Sequence, residues 1–193
     1  MKKLSSTLLL IIGVMALTSC QGYNRMVEKQ EAVTAQWSNV QNAYQRRADL
    51  IPNLVNTVKG YATHEQETFT QVTEARAKAT QTTVNPENLT AESLQEYQQT
   101  QNQLSQALGR LLLIQENYPE LKANQNFLAL QDELAGTENR ISVERNKFNQ
   151  MAQDYNAYIR KFPQMIYAKW FKFESKAYFE ATPESQTAPE VVF

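Results

Sequence analysis

The strongest constraint on the fold is an apolar row whose spacing alternates between four and three across residues 26–79. It runs through Met26, Gln30, Val33, Trp37, Val40, Tyr44, Arg47, Ile51, Leu54, Val58, Tyr61, Glu65, Thr68, Val72, Ala75 and Ala79. Such spacing lines up side chains on one face of a helix and demands a partner surface along its length. The phase does not slip at Pro52 or Gly60. That predicts one long helix, or two nearly collinear ones, reaching about 80 Å at 1.5 Å per residue. Pro52 has no N–H and its ring crowds the preceding turn, so a kink is expected there. The rival reading makes Pro52 a break and folds the segment into a hairpin; the unbroken phase speaks against it.

A second helix is predicted from about Ala91 to Glu116. Thr90 is a suitable N-cap and Glu92 meets the helix dipole in the first turn. Leu94, Tyr97, Leu104, Leu108, Leu111 and Leu112 supply its inner face, and Tyr118-Pro119 ends it. Before it, the polar stretch 80–90 with Asn85-Pro86 reads as a loop. A third helix carries Phe127, Leu134, Ile141, Phe148, Tyr155 and Phe162 every seven residues and stops at Phe162-Pro163. Residues 164–173 read as a short helix or wrap. Only 5 Gly and 6 Pro occur, which suits helix throughout. The expected class is therefore all-α: an elongated antiparallel bundle of three long helices plus a short C-terminal helix, four in all. In that up-down-up order the third helix runs parallel to the first. The second is only about half as long as the first. Part of the first would then need the aromatic-rich C-terminal segment, another copy or another protein against it.

The N-terminus carries a different signal. Lys2 and Lys3 precede an uncharged apolar run from Leu4 to Leu17, and the single cysteine, Cys20, closes Leu17-Thr18-Ser19-Cys20. This order reads as a secretory signal peptide, and the run is too short for an ordinary spanning helix. The ending resembles the lipobox of bacterial lipoproteins. That resemblance implies cleavage before Cys20, acylation of its sulfur and attachment to membrane lipid. It implies a place at the cell envelope on the non-cytoplasmic side, at the outer membrane in a Gram-negative source because Gln21 follows. The expected organisation is a signal peptide over 1–19, an anchor linker over 20–25, the bundle over 26–181 and a disordered tail over 182–193. Removing residues 1–19 takes two of the 19 basic residues and none of the 20 acidic ones, leaving a net charge of −3. Such a chain has no electrostatic reason to bind nucleic acid.

Several blocks then carry a family resemblance. They are Arg46-Arg47-Ala48-Asp49-Leu50-Ile51-Pro52-Asn53-Leu54-Val55-Asn56-Thr57-Val58-Lys59-Gly60-Tyr61-Ala62-Thr63-His64-Glu65, Thr73-Glu74-Ala75-Arg76-Ala77-Lys78-Ala79, Glu116-Asn117-Tyr118-Pro119-Glu120-Leu121-Lys122-Ala123-Asn124 and Gly136-Thr137-Glu138-Asn139-Arg140-Ile141. Together they resemble the LemA family over about Tyr23 to Ala181. The resemblance implies a helical bundle tethered to a membrane by its N-terminus, and it implies no activity. Phe148-Asn149 stands where the family usually has Tyr-Asn, and Trp170-Phe171 where Gly-Phe is common. The lipobox replaces the single spanning helix frequent in the family.

Catalytic constellations are missing from the sequence. His64-Glu65 begins like a zinc-protease motif, but residue 68 is Thr and His64 is the only histidine. No nucleophile elbow, Gly-rich phosphate loop or Glu-x-x-His pair occurs. No enzyme, cofactor or metal is expected. Polar residues do interrupt the apolar rows. Arg47 and Glu65 in the first segment, with Thr137 and Glu144 in the third flanked by Glu138, Asn139, Arg140 and Arg145, read as a paired polar layer that sets helix register. The alternative makes Arg46, Arg47, Asp49, His64 and Glu65 a docking surface. The aromatic cluster Tyr167, Trp170, Phe171, Phe173, Tyr178 and Phe179 reads as packing on the bundle end or as an anchor at a membrane interface; packing leads, since a parallel third helix carries the cluster away from the lipidated end. The functional expectation is a membrane-anchored scaffold or adaptor that binds an envelope protein or itself. The alternative is an envelope enzyme subunit, or a divalent-cation-binding protein, that uses carboxylates in the bundle.

Overall fold

The computed structural model describes the backbone of residues 2–180 and the side chains of residues 21–180, Asn88 excepted. The signal peptide expected over 1–19 and the acylation site Cys20 lie outside the described side chains. The tail expected over 182–193 lies outside the described residues.

The described chain forms six α-helices and no strand. They are α1 (Lys2–Lys59), α2 (Gln66–Gln81), α3 (Ala91–Leu113), α4 (Pro119–Lys122), α5 (Gln125–Arg160) and α6 (Gln164–Trp170), with 3-10 turns at Pro86–Asn88 and Ile114–Asn117. The all-α class holds, and the helix count of four is corrected to six. Capping chemistry explains the starts. Thr90 accepts from the Ser93 N–H while Ser93 Oγ accepts from the Thr90 N–H, a closed capping box before α3. Asn124 accepts from the Phe127 N–H at 2.9 Å and starts α5.

Two expectations about the first segment separate here. The helix does run through Pro52. It does not run through Gly60. The Tyr61 and Ala62 N–H groups both close onto the Val58 carbonyl, and the chain turns back before α2. The reversal is clear from cross-helix contacts. Lys59 lies 5.3 Å over the Phe69 ring, and farther along Arg76 reaches the Ala48 carbonyl. Tyr61, Glu65 and Thr68 keep the spacing of a continuing seam without being buried. The inner residues after the turn are Ala62, Phe69, Val72 and Ala79.

The extra reversal changes the topology. Gln101 on α3 donates to Ala79 at the end of α2, and Arg110 donates to Gln71, so α2 and α3 are antiparallel. Gln36 meets Glu144 and Arg46 meets Glu133, so α5 runs antiparallel to α1. The bundle is up-down-up-down, with α1 and α5 forming its longest contact. The expected parallel course of the third helix is thereby corrected. The part of α1 that α2 does not reach is covered by the start of α3 and by the extended segment 173–180. Trp37 meets Tyr97 at 5.2 Å and stacks on Phe179 at 5.9 Å. The aromatic-rich C-terminal segment, one of the three expected partners, thus fills the gap.

Burial follows the alternation up to the turn. Met26, Val33, Trp37, Val40, Tyr44, Ile51, Leu54 and Val58 are all buried. Each large side chain removed from water contributes about 1.5–3 kcal/mol. The apolar interior falls into two clusters along the rod. One contains Trp37, Tyr97, Phe148 and Tyr155, the other Leu54, Phe69, Leu104, Leu111 and Phe127. Arg47 lies on α1 between them.

Candidate functional site

Arg47 is buried, with 1% of its surface exposed. Its seam position forces it inside, and its fork reaches several helices at once. One terminal nitrogen donates to Ser105 Oγ at 2.7 Å and to Glu138 Oε2 at 3.0 Å. The other donates to Gln101 Oε1 at 2.8 Å and to the Gln101 carbonyl at 3.2 Å. Gln101 passes the connection on by donating to the Ala79 carbonyl at 3.1 Å. The layer therefore touches α1, α2, α3 and α5. The guanidinium carbon also sits 5.2 Å over the Tyr44 ring. Nε has no hydrogen-bond partner. Burial holds the Tyr44 and Tyr97 hydroxyls above the ordinary tyrosine range, so both stay neutral beside the cation.

A second polar contact lies about one helical stretch away. Gln36 donates to the Glu144 carboxylate at 2.7 Å and to the Glu144 carbonyl at 3.0 Å. Lys147 adds an ion pair at 3.1 Å. The Gln36 hydrogen bond is the main reason the Glu144 carboxyl titrates below the usual glutamate range, with Lys147 and Arg140 helping against burial.

Of the other predicted residues, Arg46, Asp49 and Arg140 line one open groove between α1 and α5 together with Glu144, and the rest are dispersed. Arg46 forms an exposed pair with Glu133 at 3.0 Å, and Asp49 accepts from Gln45 at 2.7 Å. His64 is exposed in the turn between α1 and α2. Glu65 accepts from the Tyr118 hydroxyl at 3.3 Å, far along α1 from Arg47. Asn139 and Arg140 are exposed on α5. Arg145 lies 4.7 Å over Phe179 and donates to the Glu180 carbonyl. Arg47 and Glu138 are thus brought together. Asp49, His64 and Glu65 share no pocket with them. Among the described residues, no group of three His, Cys, Asp or Glu side chains is placed to hold a metal ion, and no helix is long and apolar enough to cross a membrane.

Two arrangements escaped the sequence reading. A proline at 52 removes the N–H that would serve the Ala48 carbonyl, four residues back. Arg76 Nε on α2 donates to that carbonyl at 2.7 Å. The neighbouring helix supplies the donor that α1 lacks. The second is a pair of asparagine clamps on α5. Asn156 donates to the Lys176 carbonyl and accepts from the Lys176 N–H, each at 2.8 Å. Asn149 does the same with Phe179 at 2.9 and 2.8 Å. The segment lies on a helix without a strand ladder; the Ala177 N–H donates to the Leu89 carbonyl at 3.2 Å, and the two asparagine amides serve the backbone of Lys176 and Phe179 on either side. The signal was present: Asn149 and Asn156 each follow an aromatic member of the seven-residue row, Phe148 and Tyr155. The buried Lys176 ammonium, held below the usual lysine range by desolvation, donates to the Glu87 carbonyl.

The chain is similar in sequence to several known proteins. The magnetosome protein MamQ of Magnetospirillum gryphiswaldense is 28% identical over 202 residues, covering 93% of this chain and 74% of the relative. Magnetosome protein MamQ 2 of Paramagnetospirillum magneticum is 26% identical over 201 residues, with 93% and 74% covered. Protein LemA of Metamycoplasma hominis is 24% identical over 174 residues, covering 90% of this chain and 76% of the relative. The model of the LemA family matches residues 36–193, which include the Arg47 layer, the Pro52–Arg76 contact and both asparagine clamps, and the chain belongs to the LemA family.

Proposed function

We propose that this protein is a membrane-anchored lipoprotein of the cell envelope that works as a non-catalytic helical scaffold or adaptor. The observation that carries the reading is how the polar side chains are used. Arg47, Gln101, Gln36, Glu144, Asn149 and Asn156 are committed to joining one helix or segment to another. A buried network of this kind sets register between helices. The lone histidine sits outside it in an exposed turn. None of the relatives' names states a reaction. The anchor is the acylated Cys20, and the rod presents its outer helix faces to an envelope partner or to another copy.

In-cell crosslinking of the lipidated protein, followed by mass spectrometry of what it holds, tests this. A reproducible envelope partner, or a self-contact on one helix face, is the expected result. Metabolic labelling with a fatty acid tests the anchor, and a Cys20→Ala variant is expected to lose the label. A monomer that crosslinks to nothing, or a chain that takes up no lipid, contradicts the scaffold and the anchor respectively.

A further inference from the structure

The antiparallel course of α5 returns the chain to the end where α1 enters the bundle. Phe171 lies 4.9 Å and Phe173 5.7 Å from Tyr23. Tyr23 is three residues from Cys20, about 4.5 Å along a helix. In the envelope-anchored reading the chain is cut before Cys20 and the acylated Cys20 sulfur enters the membrane. This end therefore sits beside the lipid attachment point.

Its surface differs from the rest of the rod. Tyr23, Phe162, Met165, Ile166, Trp170 and Phe171 make up half of the twelve large apolar side chains exposed among the described residues. Phe162 and Trp170 are the two most exposed aromatics, at 79% and 73%. Short α6 explains the grouping. It buries Ala168 against the bundle and leaves Ile166 and Trp170, four apart, on its outer face. The charge is one-sided too. From Tyr158 to Phe173 the sequence carries Arg160, Lys161, Lys169 and Lys172 and no acid, and Arg25 and Lys29 lie beside Lys161 and Phe162. The acids at this end are Glu28, in the same groove, Glu174, and Glu31 and Asp154 about one turn farther into the bundle. Concentrated exposed apolar surface marks an interaction site. Aromatics ringed by lysine and arginine suit the headgroup layer of an anionic bilayer, where rings enter the interface and cations meet phosphate.

We propose that this end, formed by α6 with Phe162, Trp170, Phe171 and their neighbouring cations, docks on an anionic lipid surface as a second contact beside the N-terminal anchor. The inference rests on the envelope-anchored reading above. It would hold the bundle against the bilayer, where a single flexible tether would leave it free to swing. Two weak membrane contacts on one body reinforce each other through effective concentration.

Tryptophan fluorescence of the mature, acylated protein in vesicles tests this, because Trp37 is fully buried and Trp170 is not. The signal of Trp170 is the difference between wild type and Trp170→Phe. Vesicles of phosphatidylcholine, with or without phosphatidylglycerol, carry brominated acyl chains as the quencher. We expect the Trp170 signal to shift to the blue and lose roughly half its intensity, as an indole at the lipid interface should. We expect the loss to grow with phosphatidylglycerol, shrink with salt, and lose its phosphatidylglycerol dependence in Lys169→Glu/Lys172→Glu. A chain that floats with vesicles while Trp170 stays unquenched overturns the docking and leaves the anchor standing. A chain that does not float overturns the anchor and the docking together. A blue shift without quenching reports a protein contact and overturns the lipid assignment.

Discussion

Arg76→Met isolates the contact that lets a helix pass through Pro52. The substitution keeps an apolar stem and removes the guanidinium. It strands the Ala48 carbonyl, which has lost its helical donor to Pro52 and now accepts from Arg76 at 2.7 Å. A carbonyl left without a partner in a partly buried site costs about 1–3 kcal/mol. Arg76 is itself half-buried, so water reaches the site in part and the lower half of that range is expected. Pro52→Ala restores an N–H that can close onto Ala48 within α1. In that background Arg76→Met should cost no more than about 0.5 kcal/mol, the value for ordinary surface changes. The cycle then gives a coupling near 1 kcal/mol. Effects of Pro52→Ala on helix propensity and on the unfolded chain appear on both sides and cancel. Guanidinium unfolding of the four proteins with a shared m-value measures it. An Arg76→Met penalty that is equal in both backgrounds refutes the account, because Arg76 would then act through something other than the carbonyl that Pro52 orphans.

Other substitutions have distinct expectations. Arg47→Ala should cost about 3 kcal/mol, since a large buried side chain is lost and Gln101 Oε1 loses its donor, and Glu138→Ala should cost a comparable amount, about 3 kcal/mol, because it leaves the buried guanidinium without its carboxylate; thermal melts unchanged in both variants contradict the layer. Asn156→Ala should free the segment around Lys176 and cost about 2 kcal/mol for two unpaired backbone groups, with faster amide exchange confined to 173–180; unchanged exchange there rejects the clamp. The folded Glu144 carboxyl lies below its unfolded range, so its contribution is present above about pH 4.3 and lost as pH falls through the folded value. Wild type should therefore lose its advantage over Glu144→Gln on acidification, and denaturation midpoints that keep a constant gap from neutral to acid pH would remove Glu144 from the network.

Much of this molecule could be read from spacing. A four-three alternation determines which face of α1 is buried as far as Val58, because helical geometry is local and repeats every turn. Thr90, Asn124 and the Pro119 and Pro163 boundaries are local for the same reason, since each concerns groups within a few residues. Arg47 could be assigned to the interior from its place in the apolar row, whereas its pairing with Glu138 came only with the antiparallel packing of α1 and α5. The direction of the chain was decided by tertiary structure. A seam that continues in phase looks alike whether the helix goes on or doubles back, and only the packing of Phe69 and Ala62 against α1 selects the turn at Gly60. That one reversal makes α5 antiparallel to α1 and brings Trp170 and Phe171 to the end where the N-terminal segment enters. The donors that replace missing backbone partners, Arg76 for Ala48 and Asn149 and Asn156 for the C-terminal segment, were likewise beyond local reading, because each serves a carbonyl or amide that is distant in sequence and near only once the helices are assembled.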